Sequence, residues 1–267
     1  MNILGKIIES KKAEVAGKKR DVPVSILERA PLFKKEILSI IHFLKDPNRT
    51  GIIAEFKRKS PSKGIINSRA TVKDVAEAYA ANGASAVSIL TDENFFGGSL
   101  SDLENVSDIK VPRLRKDFII DEYQVIESKA FGADIILLIA ACLTPVEVKI
   151  LSAIAKNLGL HVLLEIHNED ELGHITKDID VVGVNNRDLK TFRVDINRSI
   201  ELAEKIPAGK IKISESGIND AASILLLRNA GFNGFLIGEK FMKTSDPGNA
   251  FKEFVKALRP KIQLDEN

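Results

Sequence analysis

A helical stretch that stops at a glycine, followed within a few residues by an apolar run too short to be another helix, recurs along this chain. Three copies are plain: AEAYAANGASAVSIL, VIESKAFGADIILLI and LLLRNAGFNGFLIG. In them Gly83, Gly132 and Gly231 fall where a helix end needs a left-handed residue, a conformation glycine adopts without steric cost. Each copy therefore reads as a helix followed by a strand.

Extending the pattern gives eight strand candidates, at 51–56, 86–90, 111–114, 135–139, 161–166, 181–184, 210–214 and 234–237. Helical patterns lie between most of them, at 72–82, 145–158 and 220–229 among others. Strands and helices in alternation, with the strands almost continuously apolar, imply a parallel sheet covered by helices. Eight such units favour closure into an α/β fold of the (β/α)8 TIM-barrel type over an open doubly wound sheet. No G-x-G-x-x-G follows the first strand, which weakens the dinucleotide-binding form of that alternative. The chain's 267 residues suit one barrel domain spanning 1–267, with residues 1–48 as a helical N-terminal extension. Two segments there, ILGKIIESKKAEV and KKEILSIIHFLK, repeat apolar residues with helical period, and the turn DPNRTG closes the extension.

Composition narrows the partners. With 44% hydrophobic and 28% charged residues the chain reads as an ordinary globular protein, and no window reaches the roughly 18 apolar residues of a membrane span. Its start has no signal-like apolar block, and Glu9 and Glu14 argue against an acid-poor transit peptide, so a cytoplasmic address is expected. A net charge of +2 without a basic stripe and interleaved aromatics speaks against nucleic acid. Cys142, alone, can form no internal disulfide and reads as a small core residue.

Where the charges fall is the functional signal. In a parallel barrel the βα loops converge at the carboxyl ends of the strands. Strand one ends in Glu55 and Lys57, which share a face because side chains alternate with period two. Strand three runs into RLRKDF with Arg115, Lys116 and Asp117; strand five ends at Glu165; strand six delivers Asn185 and Arg187; strand seven ends with Glu215 and Ser216. The opposite ends carry small and turn residues instead, as in NRTGI and FGADI. Charges gathered at one dry rim are tolerated for catalysis more often than for stability. Gly217 and Gly238, after strands seven and eight, sit where barrels of this kind cradle a phosphate.

The motifs IIAEFKRKSPSKGII, LRKDFIID, LLEIHNEDEL, GVNNRDL, SESGI and FLIGEKFM, in this order, resemble those of the indole-3-glycerol phosphate synthase family over nearly the whole chain. The resemblance implies a carboxy-lyase of tryptophan biosynthesis. Its reaction closes a ring in 1-(o-carboxyphenylamino)-1-deoxyribulose 5-phosphate and removes CO2 and water to give indole-3-glycerol phosphate. It further implies that Lys116 is the general acid, that Glu165 and Glu55 serve dehydration, and that Lys57 anchors substrate and shares proton transfer. Asn185 would orient hydroxyls, Arg187 would face a carboxylate, and Glu215 would complete the polar ring. Ser60, Ser216, Gly217, Gly238 and Glu239 would contact substrate or phosphate, Glu239 standing where some relatives carry serine. Phe96, Phe118 and Leu236 would wall the aromatic ring.

No cofactor and no metal is expected, since lysines supply the positive charge, and HNEDE at 167–171 reads as an acidic helix start rather than a metal site. His42, His161, His167 and His174 are read as surface or structural residues. The expected partner is a small phosphorylated substrate, with no nucleic acid or membrane, bound by a monomer or weak homo-oligomer. The rival readings are another phosphosugar barrel, such as phosphoribosylanthranilate isomerase, and a barrel that binds a metabolite without catalysis.

Overall fold

The structure, a computed structural model, describes residues 3–188 and 191–265, with side-chain surroundings through residue 259. Eight parallel strands close into a barrel in chain order. They are β1 Ile52–Phe56, β2 Ala86–Leu90, β3 Arg113–Lys116, β4 Ile135–Ile139, β5 His161–Ile166, β6 Val181–Asn185, β7 Ile211–Glu215 and β8 Gly234–Ile237. β1 completes the ring by pairing Ile53 with Ala86 of β2 and Ile52 with Phe235 of β8. The expected barrel is therefore present, and most strands match their sequence-based bounds within a residue. Gly83, Gly132 and Gly231 are left-handed, at φ 95°, 79° and 84°.

Two expectations give way to competing hydrogen bonds. β3 starts two residues later than the apolar run at 111–114 suggests. Pro112 has no N–H for the ladder, whereas the Arg113 N–H donates to Asp134 at 2.8 Å and its guanidinium Nε donates to the same carboxylate at 2.8 Å. A fully buried arginine can therefore begin the strand because its counter-charge is waiting there. The helix expected over 34–45 shrinks to Ile40–Lys45. Ser39 caps it, accepting from the His42 N–H, while Leu38 N–H is taken out of any helix by Asp134 at 3.0 Å.

Alternation divides the apolar residues between two layers. One strand face, including Ile53, Leu114, Ile135, Leu163 and Ile213, fills the barrel interior together with Ile40 and Leu44. The other packs against the surrounding helices through residues such as Tyr79, Leu151, Leu227 and Phe251. Each such side chain contributes about 1.5–3 kcal/mol when buried. The N-terminal segment thus serves both poles. Helix Ile40–Lys45 plugs the amino end of the barrel, and helix Ile3–Asp21 brings Ile3, Leu4 and Ile7 over a cavity at the carboxyl end. Among the described residues no helix is long and apolar enough to cross a membrane.

Candidate active site

A cavity of about 200 Å³ opens where the strands end. Period-two alternation decides what enters it. Glu55 and Lys57 project inward together, as do Asn185 and Arg187; Lys116, Glu165, Glu215 and Leu236 join them from their own strands. Ser60, Phe96, Phe118, Ser216 and Glu239 line the same space from the loops. Arg115, one residue from Lys116, faces the opposite way and is bound to Asp117 at 3.0 Å and Glu127 at 2.9 Å. Gly217 and Gly238 stand next to the lining residues Ser216 and Glu239 rather than among them. Their backbones instead permit close approaches: a Cβ on Gly238 would stand 2.6 Å from Glu55 Oε1, and one on Gly217 would stand 2.3 Å from Val194 Cγ1.

Lys116 is the centre of the charge arrangement. Its Nζ lies 2.6 Å from Glu165 Oε2 and 3.1 Å from Glu215 Oε2. Asn185 Nδ2 donates to the other Glu165 oxygen at 3.0 Å, and Lys57 Nζ donates to Glu55 at 2.5 Å. Burial opposes charge on Lys116, but Glu165, Glu215 and Glu55 outweigh it and raise its proton affinity above the usual lysine range. Glu165 is buried too, yet Lys116 and His167 hold its carboxyl well below the ordinary value. Glu215 goes the other way: burial, aided by the nearby charge of Glu165, outweighs Lys116 and pushes it up to about 7. Two carboxylates on one ammonium thus acquire different proton affinities, the pattern that separates acid and base roles.

The apolar side of the cavity has Phe96 and Phe118 with ring centroids 6.1 Å apart. Sequence reasoning missed Leu90, Leu137 and Ile139 beside them, and Ile3, Leu4 and Ile7 above. Parity along β4 would have found Leu137 and Ile139; nothing in the spacing of the N-terminal helix says which surface its apolar face meets. Gly183 was also missed. A Cβ there would meet Glu215 Oε1 at 2.3 Å, so glycine on β6 is what leaves room for that carboxylate.

His167 is not a surface residue. Only 6% exposed, it stands just past β5 with Nε2 3.3 Å from Glu165 and Nδ1 3.4 Å from Glu171. The acids after it do begin a helix, a short 3-10 turn Glu169–His174 capped by Asn168.

Residues 4–254 match the family model described as indole-3-glycerol phosphate synthase. The chain belongs to the indole-3-glycerol phosphate synthase family. Proteins bearing that name are similar along almost their full length. The one from Bacteroides thetaiotaomicron is 47% identical over 259 residues, covering 97% of this chain and 99% of the relative. That from Salinibacter ruber is 41% identical over 257 residues, covering 94% of each chain. All eight barrel strands and the rim residues named above fall inside the indole-3-glycerol phosphate synthase match. Among solved structures, the tryptophan synthase α subunit from Legionella pneumophila superposes with a TM-score of 0.61 at 14% identity, covering 84% of this chain and 98% of that one. The 3-hexulose-6-phosphate synthase from Salmonella typhimurium gives 0.60 at 12% identity, covering 78% and 98%. At such identities these two show the barrel fold alone.

Proposed function

We propose that the cavity converts 1-(o-carboxyphenylamino)-1-deoxyribulose 5-phosphate to indole-3-glycerol phosphate by general acid and base catalysis, with Lys116 as the acid of ring closure. The observation that carries this reading is the placement of one ammonium between two carboxylates beside a paired aromatic wall. The anthranilate carbon bearing the carboxylate bonds to the ketone carbon, and the ketone oxygen takes up a proton as it becomes a hydroxyl. Lys116 supplies that proton. Although its neighbours strengthen its hold on the proton, the developing alkoxide is a much stronger base. Loss of CO2 then returns the bonding electrons to the ring. In the last stage the hydroxyl departs as water once protonated, and a carbon-bound proton is removed to complete the indole.

Glu165, Glu55 and Lys57 divide these final transfers, each role contributing on the order of 10² to 10⁴ in rate. Glu215, poised at about 7, is suited to return protons to Lys116. Arg187 offers a planar fork to the substrate carboxylate and Asn185 a donor to its hydroxyls. Phe96, Phe118 and Leu236 face the aryl ring. Ser60, Ser216 and the backbone at Gly217, Gly238 and Glu239 take the phosphate side. The enzyme is read as cytoplasmic, working as a monomer or weak homo-oligomer, which sedimentation of the purified chain tests. The decisive assay follows indole fluorescence on adding the aminodeoxyribulose phosphate. Product at a normal enzymatic rate supports the reading, whereas turnover of phosphoribosylanthranilate instead, or binding without turnover, sinks it.

A further inference from the structure

His167 takes no part in the mechanism above, yet it is buried against one of its carboxylates. Its two ring nitrogens face two different acids, Glu165 from β5 at 3.3 Å and Glu171 from the 3-10 turn at 3.4 Å. Glu171 is itself fixed, accepting the backbone N–H of His167 at 2.6 Å. A neutral imidazole carries a proton on only one nitrogen and would set a lone pair against one of these carboxylates. The doubly protonated ring sets positive charge within ion-pair distance of each, although neither nitrogen is aligned for a hydrogen bond. We propose that His167 is a positioning residue for Glu165, an imidazolium held between Glu165 and Glu171 that keeps Glu165 ionised and turned toward Lys116 and Asn185.

The surroundings agree. Glu165 Oε1 is shared by His167 and Asn185 Nδ2, while Oε2 goes to Lys116, so the histidine completes a fence around the carboxylate. Burial works against the charge on His167, but the two acids prevail and push its proton affinity up to about 9. The other titratable groups nearby do not replace it. Cys142, past the end of β4, is pushed up to about 12 by burial and stays neutral. His174 is engaged elsewhere, its ring nitrogens 3.0 Å from the Glu171 carbonyl and 2.9 Å from the Leu143 carbonyl. Lys116 holds the other Glu165 oxygen and, on its far side from His167, pairs with Glu215. Because the folded-state affinity is raised, the charge is present below about pH 9 and is lost as pH rises through that value.

The proposal rests on the indole-forming reaction, and its test separates the two. Nitrogen-15 NMR of the imidazole rings in the whole wild-type chain, with His167 assigned by its absence from His167→Gln, reports its protonation directly. A doubly protonated ring at pH 7.5 is the expected result, and a neutral tautomer there overturns the proposal whether or not the enzyme turns over. In the fluorescence assay, His167→Gln is expected to lower kcat on the order of tenfold with KM changed less than about threefold, and to lose the alkaline limb of the kcat profile near pH 9. A wild-type kcat with the limb in place overturns it. Should His167→Gln fail to fold, the ring is assigned from Glu171→Gln, which removes one of the two acids and is expected to move the alkaline limb down by about one pH unit; an unmoved limb overturns the idea. Absence of indole product from the wild-type chain would instead strike the reaction itself.

Discussion

Lys116 and Glu165 lie 49 residues apart in the chain and 2.6 Å apart in space, an ammonium on β3 bonded to a carboxylate on β5 across one strand of the barrel. The arrangement is costly to desolvate and is sustained by the second carboxylate, Glu215, and by Asn185. Replacing Lys116 by alanine removes the proton donor, but Glu165 keeps His167 and Asn185 beside it and Glu215 can take up a proton rather than remain a buried charge. Lys116→Ala is therefore expected to keep its circular dichroism spectrum and to lose at least about a hundredfold in turnover by indole fluorescence, as expected for a general acid. Near-normal turnover would remove Lys116 from the mechanism.

Glu215 gives a pH prediction with a definite sign. Its folded-state value is raised to about 7 from an ordinary 4.5, so between these values the folded chain holds a proton that the unfolded chain has released. This group's contribution to stability is therefore present below about pH 4.5 and fades as pH rises through about 7. Glu215→Gln, which cannot ionise, should show no such loss in urea melts across that window. The same variant should lack the inflection near pH 7 that wild-type kcat is expected to show. A retained inflection assigns it to another group.

Gly183 makes a steric prediction independent of charge. An added methyl would stand 2.3 Å from Glu215 Oε1 and 3.2 Å from Leu163 Cδ1, so the carboxylate must leave its place beside Lys116. Gly183→Ala should lower kcat by at least tenfold and cost about 1–3 kcal/mol in chemical denaturation, the usual range for overpacking. A crystal structure of the variant with Glu215 unmoved contradicts this account.

What could be read in the sequence follows from what is local. Strand identity was legible because apolar runs bounded by glycine carry their own signal, and Glu55 with Lys57 could be placed on one face from alternation alone. The start of β3 was not, because an apolar-run reading counts Val111 and Pro112 into the strand unless it knows that Asp134 lies beside Arg113 to hold its N–H and guanidinium. Gly183 escaped for the same reason, because the need for a missing Cβ is set by Glu215 on another strand; the burial of His167, two residues past Glu165, depends on the 3-10 turn that brings Glu171 back against the ring. Inferring that the rim residues share a cavity required the barrel first, since no spacing along the chain brings Glu55 near Gly238.

The N-terminal helix supplies the last prediction. Lys11, 1% exposed, reaches from helix Ile3–Asp21 to Asp92 and Asp117, each at 3.0 Å, and to Glu14 at 2.7 Å. Both aspartates hold the aromatic wall. Asp92 accepts the N–H of Phe95 at 2.8 Å and caps the turn that carries Phe96, while Asp117 accepts the N–H of Phe118 at 2.8 Å. Lys11→Met keeps the length of the side chain but leaves two buried carboxylates without their shared cation. Breaking a buried ion pair from one side costs about 3–5 kcal/mol, and the bonds Asp117 retains with Arg115 and Thr91 place the expected loss at the lower end. Since the two rings lose a common anchor, KM for the aryl substrate should rise by more than kcat falls. Urea unfolding and a kinetic comparison check both parts, and a variant with wild-type KM would detach helix Ile3–Asp21 from substrate binding.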